Sequence, residues 1–272
     1  MLESTYSIPY GGIGPDGRMK LPVLLDVLQD MADRDAARMS MTVANLITKG
    51  VSWVLRQYRV TVDRYPTHDS TLTVRTWHGP RKNLYSLRAF VVRDERGPVA
   101  SAETSWILID LERGRPLRLD RHSTELYIAE SCPMEMEFSS LPAMDRWREE
   151  RPFSVRRWDL DRNNHVNNAV YFSWAAEAVP DDVASSLALR RVEAEYERPT
   201  EGHGEIVVRT VLLEQGEGRV YGHAIVGSDG ERKARFVTEW RPRQRDEETT
   251  ETDGAPSSHC CSTKTKKGGM QG

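Results

Sequence analysis

The chain has 272 residues, is 38% hydrophobic and 29% charged, and carries a formal net charge of −3. This balance suits a soluble protein of one large or two small domains, gives no whole-molecule signal for nucleic acid, and contains no run near the roughly 20 apolar residues of a membrane span. Three cysteines, two of them adjacent near the C-terminus, make no disulfide framework. The start, Met-Leu-Glu-Ser-Thr-Tyr, lacks the basic and apolar regions of a secretory signal, so a cytoplasmic location is expected.

In chain order, a short strand is expected at about 3–10. Residues 20–38 then set Leu21, Leu24, Leu25, Leu28, Met31 and Ala32 at helical spacing. Four β-rich runs follow, at about 51–65, 69–79, 84–94 and 99–110, broken by Tyr-Pro-Thr-His-Asp, His-Gly-Pro-Arg-Lys-Asn and Asp-Glu-Arg-Gly-Pro. Residues 111–150, with Pro116, Pro133 and Pro142, read as a connection. The order then repeats: a short strand at about 152–158, a helix at 166–178, and runs at about 189–198, 204–215, 218–228 and 232–241. Beyond 243 the composition is polar and has no apolar period, which predicts disorder. His259, Cys260 and Cys261 in that tail are poorly spaced for a structural zinc site.

Residue matches support an internal duplication. Pro66-Thr67 precedes Val74-Arg75-Thr76, and Pro199-Thr200 precedes Val208-Arg209-Thr210. The fold class expected is α+β: two tandem units, each a long helix wrapped by an antiparallel sheet. The boundaries are 1–115 for the first unit, 116–150 for the linker, 151–243 for the second unit and 244–272 for the tail.

The second copy carries a polar constellation. Asp161, Asn163 and His165 alternate just before its helix, with Asn167 and Asn168 where capping groups belong. The first copy reads Gly14-Pro15-Asp16-Gly17-Arg18-Met19-Lys20-Leu21 there, with neither His nor Asn. If the fold needed these groups, both copies would need them, so they point to a function carried by one copy. A carboxylate can deprotonate water or attack as a nucleophile. An imidazole exchanges protons near neutral pH. Amides and a helix N-terminus stabilise negative charge on a carbonyl oxygen. Asp159 and Asn168 read as turn and cap residues, and Glu177, more than three helical turns from His165, as structural. No phosphate loop, dinucleotide fingerprint or metalloprotease helix is present, so neither cofactor nor metal is expected.

The stretch from Trp158 to Tyr171, WDLDRNNHVNNAVY, resembles the signature of acyl-acyl carrier protein thioesterases of the bacterial type. Supporting matches are Leu28-Gln29-Asp30-Met31-Ala32, Trp53-Val54-Leu55, Arg64-Tyr65-Pro66, Thr76-Trp77 and Trp106-Ile107-Leu108, so the resemblance covers about residues 5–242. It implies two tandem hotdog domains. It also implies hydrolysis of the thioester joining a fatty acyl chain to acyl carrier protein, with Asp161, Asn163 and His165 on the family's catalytic Asp, Asn and His. A Glu-Cys pair of plant members falls on Pro199 and Thr200 here. A Cys-His-Asn mechanism is therefore not available at that position, the distant Cys132 is a poor substitute, and neither Glu197 nor Glu201 is assigned the missing acid's role. The acidic carrier implies a basic docking surface, for which Arg146, Arg148, Arg151, Arg156 and Arg157 are candidates, interrupted by Glu149 and Glu150. An acyl-coenzyme A thioesterase of the same fold and a non-catalytic acyl-binding protein remain as alternatives. Monomer and homodimer are both compatible with two units in one chain.

Overall fold

The computed structural model describes residues 1–82, 84–119, 134, 136–161 and 163–243. Cys132 and the tail after 243, with His259, Cys260 and Cys261, lie outside the described residues. The elements in chain order are β1 (Leu2–Ser7), α1 (Leu21–Ala37), α2 (Val43–Ile47), β2 (Val51–Val62), β3 (Thr71–Lys82), β4 (Tyr85–Asp94), β5 (Gly97–Asp110) and the two-residue β6 (Arg115–Pro116), followed by β7 (Glu149–Val155), α3 (Asn168–Glu177), α4 (Asp181–Ser186), β8 (Leu187–Tyr196), β9 (Gly204–Gln215), β10 (Arg219–Gly227) and β11 (Arg232–Pro242). None of the described helices is long and apolar enough to cross a membrane.

The strands form one sheet in the order β1-β3-β4-β5-β2-β8-β11-β10-β9-β7, with β6 on β5. That order is a palindrome. Strands β1, β3, β4, β5 and β2 of the first copy are answered by β7, β9, β10, β11 and β8 of the second. All pairings are antiparallel, and the halves join where β2 meets β8, from Gln57↔Glu195 to Thr61↔Arg191.

α1 forms where the apolar stripe predicts, and it buries Leu21, Leu24, Leu25, Leu28, Met31 and Ala32. Pro22 in its first turn meets no penalty, because that N–H has no intrahelical acceptor. α3 buries Ala169, Tyr171, Phe172, Trp174 and Ala175. Both helices lie in a single apolar core with residues of both halves of the sheet. Phe172 crosses the join, edge-on to Tyr58 of β2 at 5.4 Å and to Phe236 of β11 at 5.1 Å.

The other sheet face is not simply wet. Residues 136–144 of the connection cross it. Met136 packs on Leu87 and Ala89. Arg59 donates to the Glu137 carbonyl at 3.0 Å and sits 5.4 Å from the Phe138 ring centre. Leu141 N–H donates to Glu195 Oε1 at 3.0 Å. Gly79 and Gly222 let this strap lie flat: a Cβ on either would collide with Met136 or Met144.

One buried polar residue of the second half has a consequence for stability. His223 is fully buried, with Nδ1 3.1 Å from Thr210 Oγ1 and Nε2 2.9 Å from Thr238 Oγ1. Burial pushes its pKa down to about 3, from an ordinary 6.5. The folded state therefore binds fewer protons than the unfolded chain at mildly acid pH. The contribution is full above the unfolded value and is lost as pH falls below 6.5. Between pH 7 and 5, His223 should cost about 2 kcal/mol of stability. Urea unfolding of wild type and His223→Gln at both pH values checks this, and equal pH dependence in the two proteins would contradict it.

Candidate active site

Residues 160–166 form a tight turn. Leu160 and Val166 pair across it, Asp161 N–H donates to the His165 carbonyl at 2.7 Å, and Asn164 N–H donates to the Asp161 carbonyl at 3.0 Å. Asn164 takes φ 61°, a left-handed conformation that asparagine tolerates better than most side chains. The Asp161 carboxylate folds back over this turn. Its Oδ1 accepts from the backbone N–H of Asn163 at 2.7 Å and of His165 at 3.2 Å, and its Oδ2 lies 3.4 Å from Asn163 Nδ2. The acid and the amide are thus in contact, and Asp161 holds the backbone from which His165 projects. Asp161 and His165 are half-buried and Asn163 is exposed, so the group opens to solvent.

Neighbouring residues anchor the turn. Asn167 is the N-cap of α3: its Oδ1 accepts from Ala169 N–H at 3.0 Å, while Asn168 is the first helical residue. Asn167 N–H donates to the Asp159 carbonyl at 2.8 Å. Asp159 is buried, accepts from Arg156 N–H at 2.7 Å and pairs with the Arg156 guanidinium at 3.0 Å, a structural role as expected. Glu177, at the far end of α3, accepts through its carbonyl from Arg151. Asp26 on α1, from the first half, hydrogen-bonds the Asn167 side chain.

On the other side the turn docks on residues 200–201, in the segment that follows β8. Val166 N–H donates to the Thr200 carbonyl at 2.9 Å, and His165 bridges to Glu201 in the antiparallel sense. His165 Nε2 is 3.6 Å from Glu201 Oε1. Thr200, on the opposite face of that segment, is buried: Tyr171 donates its hydroxyl to Thr200 Oγ1 at 2.8 Å and accepts from Thr200 N–H at 3.1 Å. Position 200 is therefore filled by a buried hydroxyl pair. A cleft opens beyond it, lined by Pro199, Glu201, His203, Asp229 and Lys233 among others.

The first copy reproduces this turn bond for bond with different side chains. Ile13 pairs with Met19, and Arg18 bridges to Thr67. Gly14 N–H donates to the Arg18 carbonyl at 2.7 Å, Gly17 N–H to Gly14 at 3.0 Å, Lys20 N–H to Gly12 at 2.8 Å and Met19 N–H to Pro66 at 2.9 Å. Gly17 takes φ 74° where Asn164 takes 61°. Gly14, Asp16 and Arg18 thus stand where Asp161, Asn163 and His165 stand. The hydrogen bonds also correct one reading: Pro66 corresponds to Thr200, not to Pro199, so Thr67 is the counterpart of Glu201. Letter matching of Pro-Thr placed the repeat one residue out of register.

Of the five arginines proposed as a docking surface, two are engaged within the chain. Arg156 is paired with Asp159, and Arg151 lies 3.7 Å from Asp181 besides its contact with Glu177. Trp158, beside the turn, is 93% exposed.

A separate pocket of about 70 Å³ lies in the first half, between α1 and β2–β5. Its apolar wall includes Ala32, Ala36, Met41, Val43, Trp53 and Trp106, and His78, Ser86 and Arg88 close one side. None of Asp161, Asn163 and His165 lines it. α1 links the two places, because Asp26 touches Asn167 and Gln29, one turn later, enters the pocket wall. Sequence reading missed the ionic group beside this pocket. Asp35 is buried with Arg88 Nη1 at 2.8 Å and His78 Nε2 at 2.9 Å from its Oδ2, and Arg88 also donates to Thr76 Oγ1 at 3.0 Å. Burial opposes the charge on Asp35, but the bonds from His78 and Arg88 outweigh it and hold the carboxyl far below its ordinary range.

Two helix-and-sheet units sharing one sheet, with a polar turn at the head of one helix, define a tandem hotdog protein of thioesterase type. The chain belongs to the acyl-acyl carrier protein thioesterase family: residues 1–127 match the family's N-terminal domain and residues 143–242 its C-terminal domain. Among curated relatives, the chloroplastic dodecanoyl-[acyl-carrier-protein] hydrolase of Umbellularia californica is 27% identical over 265 residues, covering 90% of this chain and 69% of the relative. A chloroplastic acyl-[acyl-carrier-protein] hydrolase of Cuphea viscosissima is 26% identical, covering 89% of this chain and 63% of its own length. The fold is shared with the 12:0-ACP thioesterase of Umbellularia californica, at TM-score 0.78 and 24% identity over 89% of this chain and 94% of that one. It is shared also with an acyl-ACP thioesterase of Bacteroides thetaiotaomicron, at TM-score 0.75 and 22% identity over 88% and 97%.

Proposed function

We propose that this chain hydrolyses the thioester of fatty acyl-acyl carrier protein and releases free fatty acid, ending chain elongation. The observation that carries the reading is the turn at residues 160–166: its backbone is duplicated in the first copy, while its acid, amide and imidazole are not. In the proposed reaction Asp161, with Oδ1 occupied by backbone N–H groups, uses Oδ2 to take a proton from water. The water oxygen attacks the thioester carbonyl, whose oxygen gathers charge opposite backbone N–H groups at the head of α3. Asn163 orients the water or the thioester. The carbon–sulfur bond breaks, and His165 supplies the proton that the departing thiolate needs. No cofactor or metal takes part.

The acyl chain is placed along α1, with its end in the pocket between Ala32, Ala36, Trp53 and Trp106. Ala36→Phe should fill that space and lower the rate on the longest accepted chains at least tenfold, leaving shorter chains near wild type. A chain-length profile of the variant tests this, and an unchanged profile would put the acyl chain elsewhere.

Exposed Arg146, Arg148 and Arg157 are the cations left to meet an acidic carrier. The unit boundaries proposed are 1–115 and 151–243, with β6 and β7 straddling those edges, the reaction is placed in the cytoplasm, and the internal pairing of β2 with β8 lets a monomer suffice where two copies would otherwise dimerise. The deciding experiment is hydrolysis of matched acyl-carrier and acyl-coenzyme A panels from short to long chains. Preference for the carrier supports the proposal, equal or better use of coenzyme A favours that thioesterase instead, and tight acyl binding without hydrolysis favours a binding protein.

A further inference from the structure

We infer that Glu201 is the positioning acid of the site, holding the His165 imidazole by its Nε2 so that Nδ1 faces the chemistry. The inference rests on the thioesterase reading above and adds a residue to it.

The backbone makes the case first. His165 and Glu201 are directly paired across an antiparallel bridge, so their side chains leave the same face of the pairing. Val166 N–H to the Thr200 carbonyl at 2.9 Å locks that register from the next residue. Alternation along the segment then sends Thr200 inward to Tyr171 and leaves 199 and 201 on the outer, His165 face. The carboxylate that the register places beside His165 is thus that of Glu201, while position 199 is proline.

The side chains agree. Glu201 Oε1 is the carboxylate oxygen paired with His165, at 3.6 Å. That separation is an ion-pair distance, not a hydrogen bond, and catalytic contacts of this kind commonly tighten when substrate closes the site. A carboxylate on one ring nitrogen fixes the tautomer and the ring orientation that the other nitrogen presents.

The duplication supplies the control. In the first copy the corresponding bridge joins Arg18 to Thr67, at the head of α1. The geometry is kept there without the acid and without the histidine. The two groups are present together in one copy and absent together from the other, as expected of partners in chemistry and not of a pair the turn needs in order to form. Glu201 is also 71% exposed at its side chain, so its replacement removes little packing.

The experiment compares wild type, Asp161→Ala, Glu201→Ala and Glu201→Asp on one acyl-carrier substrate, with and without added formate. Glu201→Ala should lower kcat at least tenfold with KM within twofold and an unchanged melting temperature. Glu201→Asp, or formate added to the alanine variant, should restore part of the loss. A Glu201→Ala kcat within threefold of wild type, or a loss that neither aspartate nor formate restores, overturns the inference. Asp161→Ala separates the two claims: if it too retains full activity, the site reading fails, whereas loss only in Asp161→Ala leaves that reading intact and removes Glu201 from it.

Discussion

Asp161→Asn is expected to leave the fold intact and to lower turnover of an acyl-carrier thioester by roughly 100-fold or more. Asparagine has nearly the same shape as aspartate, and its amide oxygen can still accept from the N–H groups of Asn163 and His165, which Oδ1 holds at 2.7 and 3.2 Å. The turn should survive, and only the basic oxygen is lost. Asp161→Ala removes the acceptor as well and should add a modest loss of stability to the same catalytic defect. His165→Ala should be comparably slow, since no other imidazole stands at this turn. Thermal melting and single-turnover hydrolysis on the three variants separate fold from chemistry. Near wild-type rates in both Asp161→Asn and His165→Ala would remove the assignment, because the residues that distinguish the second copy from the first would then be doing nothing.

The largest loss of stability is expected from Asp35→Ala. Asp35 is 3% exposed and Arg88 is 5% exposed. Removing the carboxylate takes the opposite charge away from a buried guanidinium that it meets at 2.8 Å, and breaking a buried pair from one side costs about 3–5 kcal/mol. Replacing both partners with apolar residues of similar volume, Asp35→Leu with Arg88→Met, should recover much of the loss, because no unpaired charge then remains. Denaturant midpoints of the two single variants and the double variant form the cycle that measures this. Additive losses in the double variant would show that the pair is not the reason for the cost. Arg88 also borders the first-half pocket, so the double variant should change chain-length preference even where it folds well.

The parts of this molecule that were legible in the sequence are those set by local period. The stripe from Leu21 to Ala32 marked α1, and alternating apolar runs between turn residues marked the strands of both copies to within a few residues. α2 and α4 were not seen, because helices of five and six residues are too short to show a period. The turn at 160–166 was legible because Asp161, Asn163 and His165 are close in sequence and their counterparts in the first copy are so different. What escaped was long-range. Asp35 and Arg88 are 53 residues apart and lie in different elements, and only the folded sheet brings them together. Glu201 was visible as one acid among several near Pro199, but only the register of the bridge distinguishes it from Glu197. The repeat itself was read one residue out of step at Pro199, because Pro-Thr recurs as letters while the hydrogen bonds equate Pro66 with Thr200.

The palindromic sheet has a consequence for how such a protein can change. In a homodimer of single units, every substitution is made twice, so a side chain that widens one pocket also alters the mate of the other catalytic turn. Fusing the copies breaks that bond between them. Here the two copies share the turn backbone and differ in its side chains, Gly14, Asp16 and Arg18 standing where the second copy has Asp161, Asn163 and His165. On the proposed reading, the first copy is free to drift in pocket depth and polarity without touching Asp161, Asn163 and His165. Substrate range and reactivity become separately heritable traits of one polypeptide, and a library that varies only the α1 side of the first half should sample new chain lengths while the reactive turn stays constant.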